Sequence, residues 1–231
     1  MLRKWEEIPE WMKTPEVKRY YDILAKKKIS LKLKQLFDFC AACILFVILS
    51  PVMLILSALI VLDSPGGIFY RQVRVTAYGR KFRIHKFRTM VADADKIGSQ
   101  ITIGNDRRIT RIGHLLRKYR LDELPQLIDI LQGNMSFVGT RPEVAEYVKR
   151  YSSEMKATLL LPAGVTSEAS IRYKEEAVLL EHADNADQVY IETILPEKMK
   201  YNLEAMEKFN FFTEIVTMIR TVLAVLGKRY E

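Results

Sequence analysis

The sequence is poor in cysteine, with only Cys40 and Cys43 in 231 residues. This excludes a small secreted scaffold held together by disulfides and favours a reducing compartment. The pair has the C-x-x-C spacing of a redox or metal motif, but the surrounding sequence, FDFCAACILFVIL, supplies no cation that would stabilise a thiolate. We therefore interpret both thiols as side chains of an apolar segment, without a redox or metal-binding role.

Several common sequence signatures are also missing. The chain has no internal repeat, no low-complexity tract, no glycine-rich dinucleotide fingerprint and no GxxxxGK[ST] phosphate loop. These absences argue against repeat architectures, Rossmann-type enzymes and P-loop NTPases. The long apolar segment at residues 36–62 lacks a small-residue cleavage site and follows a charged stretch, so we do not expect it to be a cleaved signal peptide.

What the chain does contain is a balanced composition with unevenly placed charge. Apolar residues make up 49% and charged residues 28%, which favours one principal folded domain over disorder. Residues 71–120 hold 14 Lys and Arg against three Asp, a net charge of +11 compared with +8 for the whole chain. Such a field suits a phosphate-rich partner: nucleic acid, an anionic membrane surface or a nucleotide-type substrate. A solvated basic face without a ligand is an equal alternative on charge alone.

Residues 36–62 are almost entirely apolar, and a bilayer can be crossed by a helix of about 20 such residues. Ser50-Pro51 interrupts the middle, where proline removes a backbone donor. Lys and Arg flank both ends, so a spanning helix would violate the positive-inside rule on one side. We predict a re-entrant helix that enters and leaves by the cytoplasmic face, with the Ser50 hydroxyl satisfying backbone groups freed at the break. The alternative is one kinked spanning helix, in which Asp38 needs a partner or water.

The rest of the chain predicts a mainly α fold with a small β-hairpin or sheet, an α+β class. Residues 1–35 mix aromatic and charged side chains and predict an N-terminal segment at the membrane interface. Residues 63–231 form the cytosolic-face domain, with a hairpin around Tyr78-Gly79 and helices at 91–98 and 111–119 and from Pro125 to about Leu131. Apolar residues recur at helical spacing from 212 to 226, as in an amphipathic helix that packs on a core or on a membrane surface.

The adjacent carboxylates Asp122 and Glu123 are the most informative feature for chemistry. We expect Asp122 to cap the helix that Pro125 helps to start, with Glu123 in its first turn. Arg117 and Arg120 precede the pair and Arg141 follows it. This set could supply a nucleophile, a ligand for a hard metal such as Mg²⁺, and sites for phosphate oxygens. The plain alternative is an ordinary capped helix with surface ion pairs.

Four motifs occur in order: KFRTM at 86–90, NDRRITRIG at 105–113, LDELPQL at 121–127 and GNMSFVGTRPE at 133–143. With the apolar segment broken at Ser50-Pro51, this set resembles the bacterial sugar transferase family, the small monotopic phosphoglycosyl transferases. The similarity covers about residues 31–226. It implies a monotopic membrane enzyme that transfers a sugar 1-phosphate from a UDP-sugar to polyprenyl (undecaprenyl) phosphate through a covalent aspartyl-phosphosugar and releases UMP.

The resemblance also implies roles for individual residues. Asp122 matches the nucleophile and metal-binding aspartate, with Mg²⁺ as cofactor, and Glu123 matches its assisting neighbour. The matching substrate- and phosphate-binding residues are Lys86, Arg88, Arg117 and Arg141. The expected location is the cytoplasmic face of a bacterial inner membrane, and the expected partners are the UDP-sugar, polyprenyl phosphate and membrane lipids, with no nucleic acid. A homodimer through the C-terminal apolar stripe is a further expectation.

The sequence departs from the family pattern at several positions. Thr140 stands where proline is usual, Arg120 replaces a small hydroxyl residue, and residues 160–170, LLPAGVTSEAS, replace an Arg-Pro-Gly-Ile-Thr-Gly stretch. A late family aspartate falls at Glu214. These changes resemble a subgroup and leave the sugar open. Two other functions compete: an inactive membrane scaffold of the same family, and a membrane-tethered basic protein that binds nucleic acid.

Overall fold

The computed structural model describes residues 1–94, 106–173 and 185–228. The helices are α1 Pro15–Ala25, α2 Lys28–Asp63, α3 Arg111–Lys118, α4 Gln126–Leu131, α5 Ala145–Val148, α6 Glu168–Arg172, α7 Ala186–Val189, α8 Leu195–Glu207 and α9 Phe211–Val225. The strands are β1 Phe69–Tyr70, β2 Val73–Val75, β3 Lys81–Arg83, β4 Lys86–Phe87, β5 Met135–Val138 and β6 Ala163–Thr166. Short 3₁₀ turns cover Trp5–Glu7, Glu10–Met12, Ala77–Gly79, Leu121–Glu123 and Met155–Leu160, and Tyr190–Ile194 is a π-helical turn. The predicted α+β class, mainly helical with small sheets, is confirmed.

The strands pair two by two. β1 and β4 are antiparallel, β2 and β3 are antiparallel, and β5 and β6 are parallel. The predicted hairpin at Tyr78-Gly79 is confirmed as the β2–β3 connection. Tyr78 and Gly79 adopt φ values of 59° and 75°, the left-handed backbone that a tight turn of this kind requires. The hairpin leads directly into β4, which carries Lys86.

The largest hydrophobic core includes the N-terminal residues. Met12, Val17 and Leu24 are fully buried and belong to the same cluster as Leu160 and Leu195. The apolar side of α1 therefore faces the protein interior, since Val17 and Leu24 recur at helical spacing. The N-terminal residues therefore pack within the globular body, and the expected position of residues 1–35 at the membrane interface stays a prediction. The long helix α2 also starts at Lys28, before the predicted boundary at residue 36.

Within the described ranges, one helix is long and apolar enough to cross a membrane, Lys28–Asp63. It continues through Pro51 as a single helix. The Ser50 hydroxyl donates a hydrogen bond of 2.8 Å to the carbonyl of Val47. Val47 is four residues before Pro51, so its carbonyl is the acceptor that proline deprives of a helical N–H. The predicted role of the Ser50 hydroxyl is confirmed.

Both ends of α2 contact the same globular body. Near its start, Asp38 accepts a hydrogen bond of 2.6 Å from the Ser136 hydroxyl. At its end, Asp63 accepts one of 2.9 Å from the backbone N–H of Ile112. A buried stripe joins these ends, and its members pack on the hydrophobic clusters that contain β5 and α3: Ala42, Met53, Leu56 and Ile60. The opposite face is exposed and apolar: Leu36, Phe39, Ile44, Val47, Ile48, Leu54 and Ile55.

Helix α9 also carries an exposed apolar face. Phe212, Val216, Ile219 and Leu226 are all more than half exposed. The helix packs beside the start of α2, where the rings of Phe37 and Phe211 meet edge to face at 5.7 Å. The sequence left two alternatives for the apolar stripe at 212–226, packing on a core or on a membrane surface. These exposed side chains do not pack on the core.

Of the remaining predicted helices, two are present in the structure and one is not found over its first residues. Those predicted at 111–119 and after Pro125 correspond to α3 and α4. The helix predicted over 91–98 is wrong for its first part, because residues 91–94 form turns beside an antiparallel bridge between Met90 and Ile109. Residues 95–98 lie outside the described residues.

Candidate active site

Asp122 and Glu123 lie in the 3₁₀ turn Leu121–Glu123, between α3 and α4. Arg120, just before the turn, adopts φ 56° and ψ 23°, a left-handed conformation that is uncommon for a side-chain-bearing residue. The resulting change of direction buries both carboxylates, which are 8% and 9% exposed. The predicted capping role of Asp122 is wrong. Pro125 occupies the N-cap of α4, because the left-handed residue starts a separate turn upstream of that helix.

Glu123 pairs with the cationic side chains around the turn. Its Oε1 accepts hydrogen bonds from Lys86 Nζ at 2.9 Å and Arg141 Nη2 at 3.2 Å, and Arg120 Nη1 lies 3.9 Å away. Burial acts to raise the pKa of Glu123, but Lys86, Arg141 and Arg120 outweigh it and hold the pKa well below its usual range. Glu123 is therefore ionised, and it fixes the positions of two of the predicted phosphate-binding side chains.

Asp122 is in the opposite situation. Its Oδ1 is buried and has no hydrogen-bond partner among the described residues. Burial raises the pKa of Asp122 above its usual value; Lys86 opposes this shift and Glu123 adds to it. A buried polar oxygen without a partner carries a free-energy cost, so this oxygen is disposed to bind an incoming group. Its position on the wall of a large cavity makes that possible.

The donor set around Asp122 is compatible with Mg²⁺. Magnesium is commonly held by one or two carboxylates, with phosphates and water completing the octahedron. The described residues contain no cluster of three His, Cys, Asp or Glu side chains. Glu123 Oε1 already accepts from two cations, so the unpartnered Asp122 Oδ1 is the oxygen that fits such an ion.

The other two predicted phosphate-binding arginines have different surroundings. Arg117 lines the same cavity as Asp122, and burial lowers its pKa while attraction to Asp122 and Asp106 offsets part of that shift. Arg88 is buried and donates to the carbonyls of Ser64 at 2.6 Å and Pro65 at 2.8 Å. In this structure Arg88 fastens the loop that follows α2. Its assignment to phosphate binding stays a prediction.

The cavity has a volume of about 1340 Å³ and two chemically different walls. One wall is polar and contains Lys86, Arg117, Asp122, Glu123 and Arg141. The other is apolar and includes residues of α2 and α9, the two helices with exposed apolar faces: Leu45, Leu49, Ala224 and Val225. The carboxylates and the apolar helices thus border one continuous space.

A histidine–aspartate contact beside the carboxylates was not anticipated. His85 precedes Lys86, and both its backbone N–H and its ring Nδ1 lie 2.8 Å from the carboxylate oxygens of Asp129 in α4. Asp129 is fully buried. The sequence does hold one signal for this contact, because Asp129 lies between Ile128 and Ile130 in a short helix. A carboxylate buried among apolar residues requires a partner.

A second polar group in the lining of the same cavity was also missed. The Tyr190 hydroxyl donates to Glu143 Oε1 at 2.6 Å and accepts from Lys198 Nζ at 3.2 Å. Arg74 Nη1 lies 3.9 Å from the other oxygen of Glu143. These residues come from separate segments of the chain, so local sequence could not connect them.

Glu214 is not brought to the carboxylate pair. It forms an ion pair with Lys34 at the junction of α9 and α2, and Lys34 Nζ is 3.7 Å from Asp38 Oδ2. This buried group joins the two helices. Its described contacts are therefore structural.

Comparisons with known proteins agree with the motif pattern. A family model described as Bacterial sugar transferase matches residues 29–228. The chain is 31% identical over 197 residues to the UDP-N-acetylgalactosamine-undecaprenyl-phosphate N-acetylgalactosaminephosphotransferase of Aeromonas hydrophila, covering 84% of this chain and 44% of that protein. It is 31% identical over 195 residues to the UDP-glucose:undecaprenyl-phosphate glucose-1-phosphate transferase of Escherichia coli (strain K12), covering 82% and 39%.

A shorter relative is matched over most of its length. The chain is 31% identical over 194 residues to the uncharacterized sugar transferase EpsL of Bacillus subtilis (strain 168), covering 84% of this chain and 87% of that protein. The chain therefore spans less than half of the Aeromonas and Escherichia relatives and nearly all of EpsL.

Proposed function

The chain belongs to the bacterial sugar transferase family, and from this premise we propose that it transfers a sugar 1-phosphate from a UDP-sugar to a polyprenyl phosphate. The acceptor is undecaprenyl phosphate, as in the names of the Aeromonas and Escherichia relatives. The reaction releases UMP and yields a polyprenyl diphosphosugar.

One observation carries this proposal: a buried carboxylate oxygen without a partner borders a cavity with one cationic and one apolar wall. A nucleotide diphosphosugar is polyanionic and suits the cationic wall. A polyprenyl phosphate has an apolar chain and an anionic head, and it suits the wall formed by α2 and α9. Asp122 borders the space in which the two phosphates would meet.

In the proposed mechanism, Asp122 is the nucleophile. A carboxylate oxygen attacks the phosphorus nearest the sugar, the bond from that phosphorus to the bridging oxygen breaks, and UMP leaves with the electron pair. The product is an aspartyl-phosphosugar. An oxygen of the lipid phosphate then attacks the same phosphorus, breaks the bond to Asp122 and regenerates the carboxylate. Two half-reactions allow two bulky substrates to react in turn.

The cations of the polar wall would stabilise the charge on the diphosphate. Lys86 and Arg141 are held by Glu123, so they can act on the phosphates without first reorganising. Arg117 lies on the same wall. Mg²⁺ held at Asp122 would neutralise part of the phosphate charge.

We further propose that α2 is re-entrant and that the enzyme works at the cytoplasmic face of a bacterial inner membrane. Support comes from the two ends of the helix, since Asp38 and Asp63 both contact the same globular body. The basic residues on both flanks and the exposed apolar faces of α2 and α9 agree with one-sided insertion.

The competing functions receive less support. For nucleic-acid binding, Arg88 is buried and Lys86 pairs with Glu123, so neither belongs to an open basic surface. The exposed basic residues, such as Arg71, Lys81 and Arg111, lie in separate segments of the chain. An inactive scaffold would have no need for a buried, unpartnered Asp122. The homodimer stays a prediction, and crosslinking in native membranes tests it.

The deciding experiment separates the covalent step from overall turnover. Detergent-purified protein is incubated with Mg²⁺ and a panel of UDP-sugars, without lipid, and its intact mass is measured. The proposal expects a mass increase of one phosphosugar, its loss on adding undecaprenyl phosphate, and UMP release. Asp122→Asn should abolish all three, whereas Asp22→Asn, at an exposed surface ion pair, should abolish none. Lipid-dependent UMP release that persists in Asp122→Asn would exclude Asp122 as the nucleophile.

A further inference from the structure

A second cavity, of about 650 Å³, lies beside the N-terminal part of α2. None of its described lining residues lines the cavity of Asp122. Its lining comes from five separate stretches: the N-terminal residues, the first turns of α2, the β2–β3 turn, the end of α4 with the following residues to Met135, and Pro162. It is therefore a distinct site.

Three of these stretches each contribute a cation to the lining: Arg3, Lys32 and Arg80. The Arg3 guanidinium lies 4.6 Å from the centre of the Tyr78 ring, a cation–π contact. Arg80 donates to the Asn134 side chain at 2.8 Å and to the Gly133 carbonyl at 3.1 Å. These partners orient the two guanidinium groups and are neutral, so they do not cancel the charge.

The acidic residue among the described lining side chains is Asp38, and its charge is already engaged. It accepts a hydrogen bond of 2.6 Å from Ser136, and Lys34 Nζ lies 3.7 Å from it. The lining therefore presents an excess of positive charge to an anion.

Apart from Gln35 and Gln132, the rest of the lining is mostly apolar, and it continues into the proposed membrane-facing surface. Leu36 and Phe39 are 62% and 52% exposed, and they begin the apolar face that continues along α2 through Ile44 and Val47. Lys32 lies one helical turn before Leu36. Such a change from cation to apolar side chain along one helix face is typical of a helix at the level where lipid headgroups meet acyl chains.

We propose that this groove binds an anionic phospholipid. The phosphate lies among Arg3, Lys32 and Arg80, and an acyl chain runs along Leu36 and Phe39. A free phosphate ion would use the cations but leave the apolar wall uncovered, whereas a phospholipid complements both. The proposal rests on the one-sided membrane insertion proposed above. The bound lipid would join the N-terminal residues, α2 and the hairpin.

The test compares wild type with two triple variants of equal charge change. Arg3→Gln, Lys32→Gln and Arg80→Gln remove the cations of the groove. Lys149→Gln, Lys200→Gln and Lys208→Gln remove cations from exposed ion pairs elsewhere. Each protein is titrated with phosphatidylglycerol in neutral detergent, the melting temperature is recorded, and retained lipid is counted by native mass spectrometry. We expect wild type and the control triple to retain one phosphatidylglycerol and to gain melting temperature, and the groove triple to do neither.

Two outcomes would overturn the proposal. Equal responses of the two triples would mean diffuse surface attraction, and equal stabilisation by glycerol phosphate would mean a site for a soluble phosphate. A charge-neutral variant, Phe39→Ser, should weaken phosphatidylglycerol retention and leave any response to glycerol phosphate unchanged. A measurement of UMP release in the absence of added phosphatidylglycerol distinguishes a failure of this inference from a failure of the proposed function. In that assay the groove triple should release UMP as wild type does. If wild type itself releases none, the lipid measurements still decide the groove.

Discussion

His85 and Asp129 hold β4 against α4 through two contacts, the backbone N–H and the ring Nδ1 of His85 each lying 2.8 Å from a different oxygen of Asp129. Lys86 follows His85 as the first residue of β4, and its Nζ reaches Glu123 at 2.9 Å. These two adjacent residues thus tie the start of β4 to α4 and to the turn that carries Asp122. This arrangement makes Asp129 a positioning residue for Lys86.

Asp129→Ala should therefore lower both stability and turnover. The variant leaves the buried N–H of His85 without its acceptor, which typically costs about 1–3 kcal/mol of unfolding free energy. Asp129→Asn keeps an amide oxygen that accepts from this N–H and should lose less. Melting in detergent and UMP release measure the two effects.

The positioning role has its own check in a double variant. If Asp129 acts through Lys86, adding Asp129→Ala to Lys86→Met should reduce turnover little further. Fully additive losses in turnover would show that Asp129 supports the fold without positioning Lys86.

Asp122→Asn should abolish turnover without destabilising the protein. The pKa of Asp122 is higher in the folded protein than its ordinary value of 3.8, because of burial. Its favourable contribution is therefore present below pH 3.8 and is lost as the pH rises through the folded pKa. At neutral pH the variant should melt at the same or a higher temperature than wild type, and the difference should shrink in acid. A lower melting temperature of Asp122→Asn at neutral pH would contradict this.

Glu123→Gln should show the opposite sign. The folded pKa of Glu123 lies below its ordinary value of 4.5, so its contribution is present above pH 4.5 and is lost as the pH falls through the folded pKa. At neutral pH the variant leaves the partly buried Lys86 without its carboxylate. Breaking a fully buried pair costs about 3–5 kcal/mol, and the loss here should lie below that range. Melting curves in detergent measure the loss. Lys86→Met combined with Glu123→Gln should recover part of it, and a double variant as unstable as the sum of the two would argue against direct pairing.

The sequence predicts those features that depend on neighbouring residues. Glycine within an alternating pattern predicts the hairpin at Tyr78-Gly79, and proline with a neighbouring hydroxyl predicts the Ser50–Val47 hydrogen bond. The turn at Asp122 is different, because an arginine in the left-handed region at Arg120 is set by tertiary packing and not by local preference.

The other missed features depend on contacts between distant residues. Burial of Met12 and Leu24 requires side chains from the second half of the chain, such as Leu160 and Leu195. The His85–Asp129 contact joins residues 44 positions apart. Periodicity identifies an apolar face but not its partner, so the packing of α1 within the globular body was not predicted from the sequence.

The last prediction concerns Pro51 and the path of α2. Pro51→Ala restores the N–H that can donate to the Val47 carbonyl, so the Ser50 hydroxyl is no longer needed there and a straight spanning helix becomes more favourable. To follow both ends, Cys40 and Cys43 are replaced by serine, and single cysteines are introduced as Lys28→Cys or Gly67→Cys, both at exposed positions.

Intact cells are then treated with a membrane-impermeant thiol reagent. With Pro51 present, both ends should be protected, because the proposed re-entrant path places both on the cytoplasmic side. With Pro51→Ala, one end should become labelled in a fraction of the molecules, and UMP release should fall by the same fraction. Ser57→Ala is the matched control, since its hydroxyl bonds the Met53 carbonyl where the helical ladder has no proline, and it should change neither result. Labelling of one end in the protein that retains Pro51 would rule out re-entry, because only a spanning helix exposes a single end.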